Sequence, residues 1–320
     1  MPGIERTTVS DIMIGKNILG IEKTSLLISS VFLLFAAGCG NGDEASEGKA
    51  SAGADFKKTR ITFFAAASMT ETLSAIEKKY ERAHPDTDIV FSFDSSGTLK
   101  TQITEGAYCD IFMSASPKQM NQLDKDGGGY VRRDTRTDLL ENKLVLAVAD
   151  GNPKKVAGFE ELPAAVRSHS LLLAVGNTDV PAGQYAMKLF DYYGMKPEDL
   201  FESGSVTLGS NVKEITSQVR EGTADAGIIY ATDARAAGLA VVDEADTGIV
   251  GRVIYPVAVL KQSVHADAAI RVVEYLKSPE AASVFEEAGF TVIRSTPAGS
   301  GDGKKSPADV SVAEPETGDR

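Results

Sequence analysis

Residues 61–99 read ITFFAAASMTETLSAIEKKYERAHPDTDIVFSFDSSGTL. Within that stretch an apolar run, ITFFAAA (61–67), is followed by a segment from Glu71 to Arg82 that places Leu73, Ile76 and Tyr80 at helical spacing. A second strand-like run, DIVFSF (88–93), then leads into a helix from Thr98 through Ile103. Period-two and period-3.6 patterns alternating over such short distances predict strand, helix, strand, helix. A parallel strand pair needs a crossover long enough to hold a helix, so the alternation indicates an α/β fold built on parallel pairing.

The same alternation continues outward. DIFMSA (110–115), KLVLAVA (143–149), LLLAVG (171–176), AGIIY (226–230), LAVV (239–242) and VIYPVAVL (253–260) read as further strands, and Ala266–Leu276 and Pro279–Ala288 as closing helices. No internal repeat is visible. The 320 residues, 42% hydrophobic and 24% charged, match globular composition and leave room for a large core or two domains.

The two ends differ from this middle. Lys16 and Lys23 precede an apolar run, SLLISSVFLLFAAG (25–38), that is short for a membrane span and stops in small residues at Cys39. That order of charge, apolar run and small residues predicts a secretory signal over 1–38. Ala36-Ala37-Gly38-Cys39 resembles a bacterial lipobox, which implies that Cys39 is lipidated and tethers the mature protein to the membrane; the resemblance departs from the usual pattern at Ala36, where Leu is commonest. A polar linker (39–56) follows, and the tail from Ala298 to Arg320, rich in Gly, Pro and charge, reads as disordered.

With Cys39 lipidated, Cys109 is the one remaining thiol, so no disulfide framework is expected; it reads as a small buried residue. The formal charge is −12, of which the leader carries zero, the linker −3 and the tail −2, leaving −7 on the folded core. A balance of that sign excludes nucleic acid as a partner, and any anion site must rely on local donors.

Four places share one local design, in which a strand or turn ends in small or hydroxyl residues and a helix starts at once. They are AAASMTE around Ser68, with Glu71 placed for a capping box; FDSSGTL around Ser95, Ser96 and Gly97; VPAGQYA around Pro181, Ala182 and Gly183; and SNVKEIT, with Asn211 as cap and Glu214 three residues on. Taken singly these are ordinary helix caps. Together, convergent helix N-termini offer backbone N–H groups and partial positive charge to a dehydrated anion without any Lys or Arg.

From about Arg60 to Ile293 the chain resembles the molybdate- and tungstate-binding proteins of bacterial ABC importers, a periplasmic substrate-binding family. AAASMT, SSGTL, DIFMSA, VPAGQYA, NVKEI, AGIIYATDA, YPVAV and AGFTV carry the resemblance through their order and spacing. It implies the two-lobed type II periplasmic-binding-protein fold: two mixed or parallel sheets flanked by helices, with two interlobe crossings. Lobe one would comprise 57–142 plus 255–297 and lobe two 143–254. It also implies that the oxyanion is held by Ser68 and Ser96 (hydroxyl and backbone N–H), Ala182 and Val212 (backbone N–H) and Tyr230 (phenol). No catalytic residue, no cofactor and no direct bond from protein to molybdenum is implied. The expected partners are the oxyanion, an ABC permease and the membrane through Cys39. The expected state is an exported monomer facing the periplasm or the outside of the cell.

Several features point elsewhere and fail. DKDGGG (124–129) hints at a calcium loop, but Thr135 stands where a bidentate Glu is needed. His84, His169 and His265 lack the spacing of zinc ligands, Ser68 has no recognisable base, and Arg132, Arg133 and Arg136 read as a solvated face. Asp94 beside Ser95 is expected to point away from the anion, since an unpaired buried carboxylate is costly. Two alternatives remain: the same binding role for sulfate or another small tetrahedral oxyanion, and an enzyme acting on a small anion in the cleft.

Overall fold

The computed structural model describes residues 58–126 and 129–294. The signal segment, Cys39, the linker through 56 and the tail from 298 lie outside them.

The chain begins with β1 (Thr59–Ala66), a 3-10 turn (Ala67–Met69), α1 (Thr70–Ala83), β2 (Thr87–Asp94), α2 (Ser96–Thr104), β3 (Ile111–Met113), α3 (Pro117–Asn121) and β4 (Thr137–Asn142). It continues with β5 (Leu144–Val148), α4 (Leu162–Arg167), β6 (Leu173–Gly176), α5 (Pro181–Tyr192), α6 (Pro197–Glu202), β7 (Val206–Gly209), α7 (Val212–Arg220), β8 (Ala226–Tyr230), α8 (Ala231–Ala237), β9 (Ala240–Glu244) and α9 (Thr247–Val250). It closes with β10 (Val253–Val259), α10 (Ala266–Leu276), α11 (Pro279–Ala288) and β11 (Thr291–Val292).

These strands form two sheets, one in the order β11-β4-β10-β3-β1-β2 and the other β7-β6-β8-β5-β9. Both are mixed. The β1–β2, β1–β3, β6–β7 and β6–β8 pairs are parallel, while β10 runs antiparallel to β3 and β4, and β5 antiparallel to β8 and β9. The chain leaves the first sheet after Asn142, enters the second at Leu144, and returns between Glu244 and Val253. This is the two-sheet α/β architecture of the periplasmic binding proteins. Strands β5, β8 and β10 are buried along their whole length, as expected of central strands covered on both faces.

The helices form where the sequence pattern places them. α1 buries Thr72, Leu73, Ile76 and Tyr80, and α10 buries Ala268, Ala269, Val272, Val273 and Leu276, one apolar stripe each. Each fully buried Leu, Ile or Val on such a stripe contributes about 1.5–3 kcal/mol. Three strands carry no clear signal in the sequence reading: β4, β7 and β11. β4 ends in Thr137-Asp138 and Glu141-Asn142, and β7 is a half-buried edge strand of four residues. Both lack the apolar run that marks their neighbours.

One irregularity matters for the site. The register between β10 and β4 shifts between Tyr255 and Pro256, so that Tyr255 pairs with Leu140 and Pro256 with Asp138. Proline cannot donate to the ladder, and a bulge of this kind re-aims the neighbouring side chain.

Candidate functional site

The four helix starts adopt their local forms for separable reasons. Ser95 caps α2, its hydroxyl accepting from Thr98 N at 3.1 Å; Asn211 caps α7, its Oδ1 accepting from Glu214 N at 3.1 Å. Pro181 occupies the first turn of α5, where the missing N–H costs nothing. Ser68 departs from the expected capping box. It lies inside the 3-10 turn, α1 begins without a side-chain cap, and its Oγ sits 2.9 Å from Tyr255 Oη instead. Glu214 likewise turns to Ser210, accepting from its N at 2.6 Å and its hydroxyl at 2.8 Å.

Two glycines are there for close packing. A Cβ on Gly97 would lie 2.3 Å from Asp179 O, and Gly97 N donates to that same oxygen at 3.0 Å. This brings the start of α2, in the first sheet's lobe, against the loop before α5 in the second. A Cβ on Gly183 would meet Gly176 O at 2.2 Å, so this glycine lets α5 sit on the end of β6.

Three further contacts close the cleft. α7 packs on the turn that holds Ser68, Gln119 Nε2 donates to Gln184 Oε1 at 3.1 Å, and Lys213 Nζ reaches Glu71 Oε2 at 2.7 Å. In this closed arrangement Ser68, Ser96, Ala182, Val212 and Tyr230 are 4, 0, 0, 4 and 1% exposed, so none is a surface residue. The backbone N–H groups of Ser96, Ala182 and Val212 belong to first helical turns and have no intrahelical acceptor. Ser96 Oγ accepts from Ala115 N at 3.0 Å.

Tyr230 ends β8, and its ring meets Tyr255 edge to face at 5.9 Å between centroids. Its hydroxyl is buried and has no hydrogen-bond partner among the described residues. Burial, with Tyr255, Tyr185 and Asp233 nearby, pushes that phenol well above the ordinary tyrosine range, so it remains an O–H donor at neutral pH. A buried unpaired hydroxyl costs about 1–3 kcal/mol. An O–H held in this way, without a protein acceptor, can donate to an oxygen of a bound ligand.

The model of the bacterial extracellular solute-binding protein family matches residues 61–291. This chain belongs to that family. Among its relatives, the Bacillus subtilis (strain 168) lipoprotein YvgL, whose name describes an ABC transporter substrate-binding protein, is 32% identical over 275 residues, covering 84% of this chain and 98% of its own. The molybdate-binding protein ModA of Haemophilus influenzae is 36% identical over 242 residues, 72% of this chain and 90% of its own. In structure, the periplasmic molybdate-binding protein of Azotobacter vinelandii matches with a TM-score of 0.63 at 19% identity, over 73% of this chain and all of that one, which speaks to the fold.

Charge in this solute-binding protein lies beside the helix starts. Lys213, next to Val212, places Nζ 2.9 Å from Asp233 Oδ1 as well as beside Glu71. Burial works against the Lys213 charge, but Asp233 and Glu71 outweigh it and raise its pKa. Asp233 is buried outright, and desolvation raises its carboxyl to about 6 despite the opposing Lys213. Asp94 is half-buried, and its Oδ1 accepts from Ser95 N at 2.7 Å.

The arginine run is more than a solvated face. Arg133 and Arg136 reach Asp124 at 2.6 and 3.6 Å, and the Asp124 side chain is only 7% exposed, which uses up the carboxylate that suggested a calcium loop. Among the described residues no group of three or more His, Cys, Asp or Glu is arranged to hold a metal ion, and no helix is long and apolar enough to cross a membrane. Cys109 is buried, with Sγ 2.9 Å from Ile111 O, and burial raises its thiol pKa.

Tyr255, Asn142, Lys213 and Asp233 all touch the site's surroundings and were not anticipated. Their signals were faint: YPVAV and YATDA read as strand and helix vocabulary, and Asn142 lies in a strand that shows little pattern.

Proposed function

We propose that this protein is the exported binding component of an ABC importer. It holds molybdate or tungstate between its lobes through the hydroxyls and N–H groups of Ser68 and Ser96, the N–H groups of Ala182 and Val212, and the phenol of Tyr230. The observation that carries the reading is the buried, unpartnered Tyr230 hydroxyl, together with the burial of the other four neutral groups of the set.

A fully ionised dianion needs donors only, and none of the five groups is acidic. Each hydrogen bond to a charged oxygen contributes about 1.5–3 kcal/mol net, and a micromolar site requires only about 8 kcal/mol. The names of the ModA relatives agree with this ligand. The reading is of a carrier without catalytic groups: the Asp233 carboxylate, close enough to influence the Tyr230 and Tyr255 phenols, is engaged by Lys213.

The same proposal covers the rest of the chain. Residues 1–38 direct export, Cys39 carries the lipid that holds the protein at the membrane, and 39–56 is a tether. Residues 57–142 with 255–297 form one lobe and 143–254 the other, with 298–320 as a tail. The protein acts as a monomer on the outer face of the membrane and meets its permease there.

Calorimetric titration of residues 40–297 with molybdate, tungstate, sulfate and phosphate at neutral pH tests it. Tight binding of the first two, and far weaker binding of the others, is expected. A preference for sulfate would reassign the ligand, and silence toward all four would overturn the reading.

A further inference from the structure

A network at the two chain crossings decides which way the Ser68 hydroxyl points. Lys143 N donates to Asn142 Oδ1 at 2.8 Å, which fixes the Asn142 amide so that its Nδ2 faces inward. That nitrogen donates to Thr232 Oγ1 at 2.8 Å and lies 3.3 Å from Tyr255 Oη. An amide nitrogen can only donate, so the Tyr255 oxygen is the acceptor there. The phenol has one hydrogen and, among its bonded partners, one remaining acceptor: Ser68 Oγ at 2.9 Å. Tyr255 is fully buried, so a hydrogen left without an acceptor would be costly.

The direction of the chain is therefore Lys143 N–H to Asn142, Asn142 to Tyr255, and Tyr255 to Ser68. Ser68 accepts, and its own hydrogen is left uncommitted. Ser96 reaches the same condition by another route, since Ala115 N donates to its oxygen.

We infer that Tyr255 is a positioning residue for ligand capture: its hydroxyl, set by Asn142, fills the acceptor side of Ser68 and turns the serine into an obligate donor toward the bound oxyanion. Tyr255 lies on β10 beside the bulge at Pro256, and Asn142 ends β4 at the first crossing, so both members of the network sit at the hinge between the lobes. Formation of the donor is thereby tied to the relative placement of the two crossing strands. The inference rests on the proposed oxyanion site and adds the residue that orients one of its ligands.

The test is a double-mutant cycle read by calorimetry with molybdate. Tyr255→Phe keeps the ring that packs against Tyr230 and Phe290 and removes only the hydroxyl. It is expected to weaken molybdate binding about tenfold. In a Ser68→Ala background the same change should cost less than about twofold, because the group it orients is gone. Additive losses in the two backgrounds, or unchanged affinity in Tyr255→Phe, would overturn the inference while leaving the oxyanion site standing. Failure of the unaltered protein to bind molybdate or tungstate would remove the site itself, and the inference with it.

Asn142→Asp supplies a second route should Tyr255→Phe not fold. It keeps the side-chain shape but replaces the donor by an acceptor, which draws the phenol hydrogen away from Ser68. Its loss of affinity should be larger with Ser68 present than in Ser68→Ala; equal losses in both would count against the network.

Discussion

Two regions a few residues apart along the chain treat charge in opposite ways. Ser68, Ser96, Ala182, Val212 and Tyr230, the groups proposed to hold the ligand, are all neutral and nearly all hidden from water. Beside Val212, Lys213 is held between Glu71 and Asp233, so every formal charge there has an opposite partner within 3 Å. The difference shows how an acidic protein can capture an anion. The fixed charges of Lys213, Glu71 and Asp233 are cancelled among themselves, and at the proposed site attraction would be left to dipoles whose direction the fold sets. A free lysine would attract any anion, whereas oriented neutral donors select for geometry and for full deprotonation.

Breaking the neutral region should have the largest effects. Gly97→Ala places a methyl group 2.3 Å from Asp179 O, so the lobes cannot reach the observed closed arrangement. Donors from one lobe are then withheld, each worth about 1.5–3 kcal/mol, and molybdate affinity should fall by about 100-fold or more. Small-angle scattering at saturating molybdate should show a more open particle than the parent. Ser96→Ala removes a single donor and should weaken binding by about 10- to 100-fold in calorimetry, with closure retained.

The charged region should respond through pH more than through affinity. Because the folded-state pKa of Asp233 is raised from 3.8 to about 6, the folded protein keeps this proton over a range where the unfolded chain has lost it. Stability from this group therefore increases as pH falls through about 6, and its destabilising effect is complete above that value. Asp233→Asn abolishes the titration. The Tm of the variant relative to the parent should accordingly be higher at pH 7.5 than at pH 5, and a difference independent of pH would contradict the assignment.

The smallest effect is expected at Asp94. Its Oδ1 is already satisfied by Ser95 N, so Asp94→Asn should change molybdate affinity by less than about twofold. A strong gain would mean that this carboxylate repels the ligand and that the neutral region is less neutral than described.

The contrast also bears on what could be read from the chain itself. The alternation from Ile61 onward was enough for the α/β class, because buried strands such as β5, β8 and β10 are largely apolar runs and the helices have single clean stripes, whereas the division into two sheets followed only from the family resemblance. β4 and β11 escaped since polar ends and a two-residue length leave no periodicity to detect. Asn211 and Ser95 announced themselves as caps because capping is local. Ser68 did not: its partner Tyr255 lies 187 residues away, and a capping box is the reading any local rule returns. The same holds for Lys213, whose pairing with Glu71 spans 142 residues. Arg133 and Arg136 read as solvated for a like reason, since the buried Asp124 they meet stands at the head of the glycine-rich run DKDGGG.

The backbone hydrogen bond from Gly97 to Asp179 has a consequence for timing. It ties the two lobes together at the helix that bears Ser96, and the groups proposed to hold the ligand have almost no contact with bulk water. An ion held by those groups would leave only after that bond is broken. Its residence time is then the lifetime of the closed state, and a transporter that pulls the lobes apart acts as the clock for release.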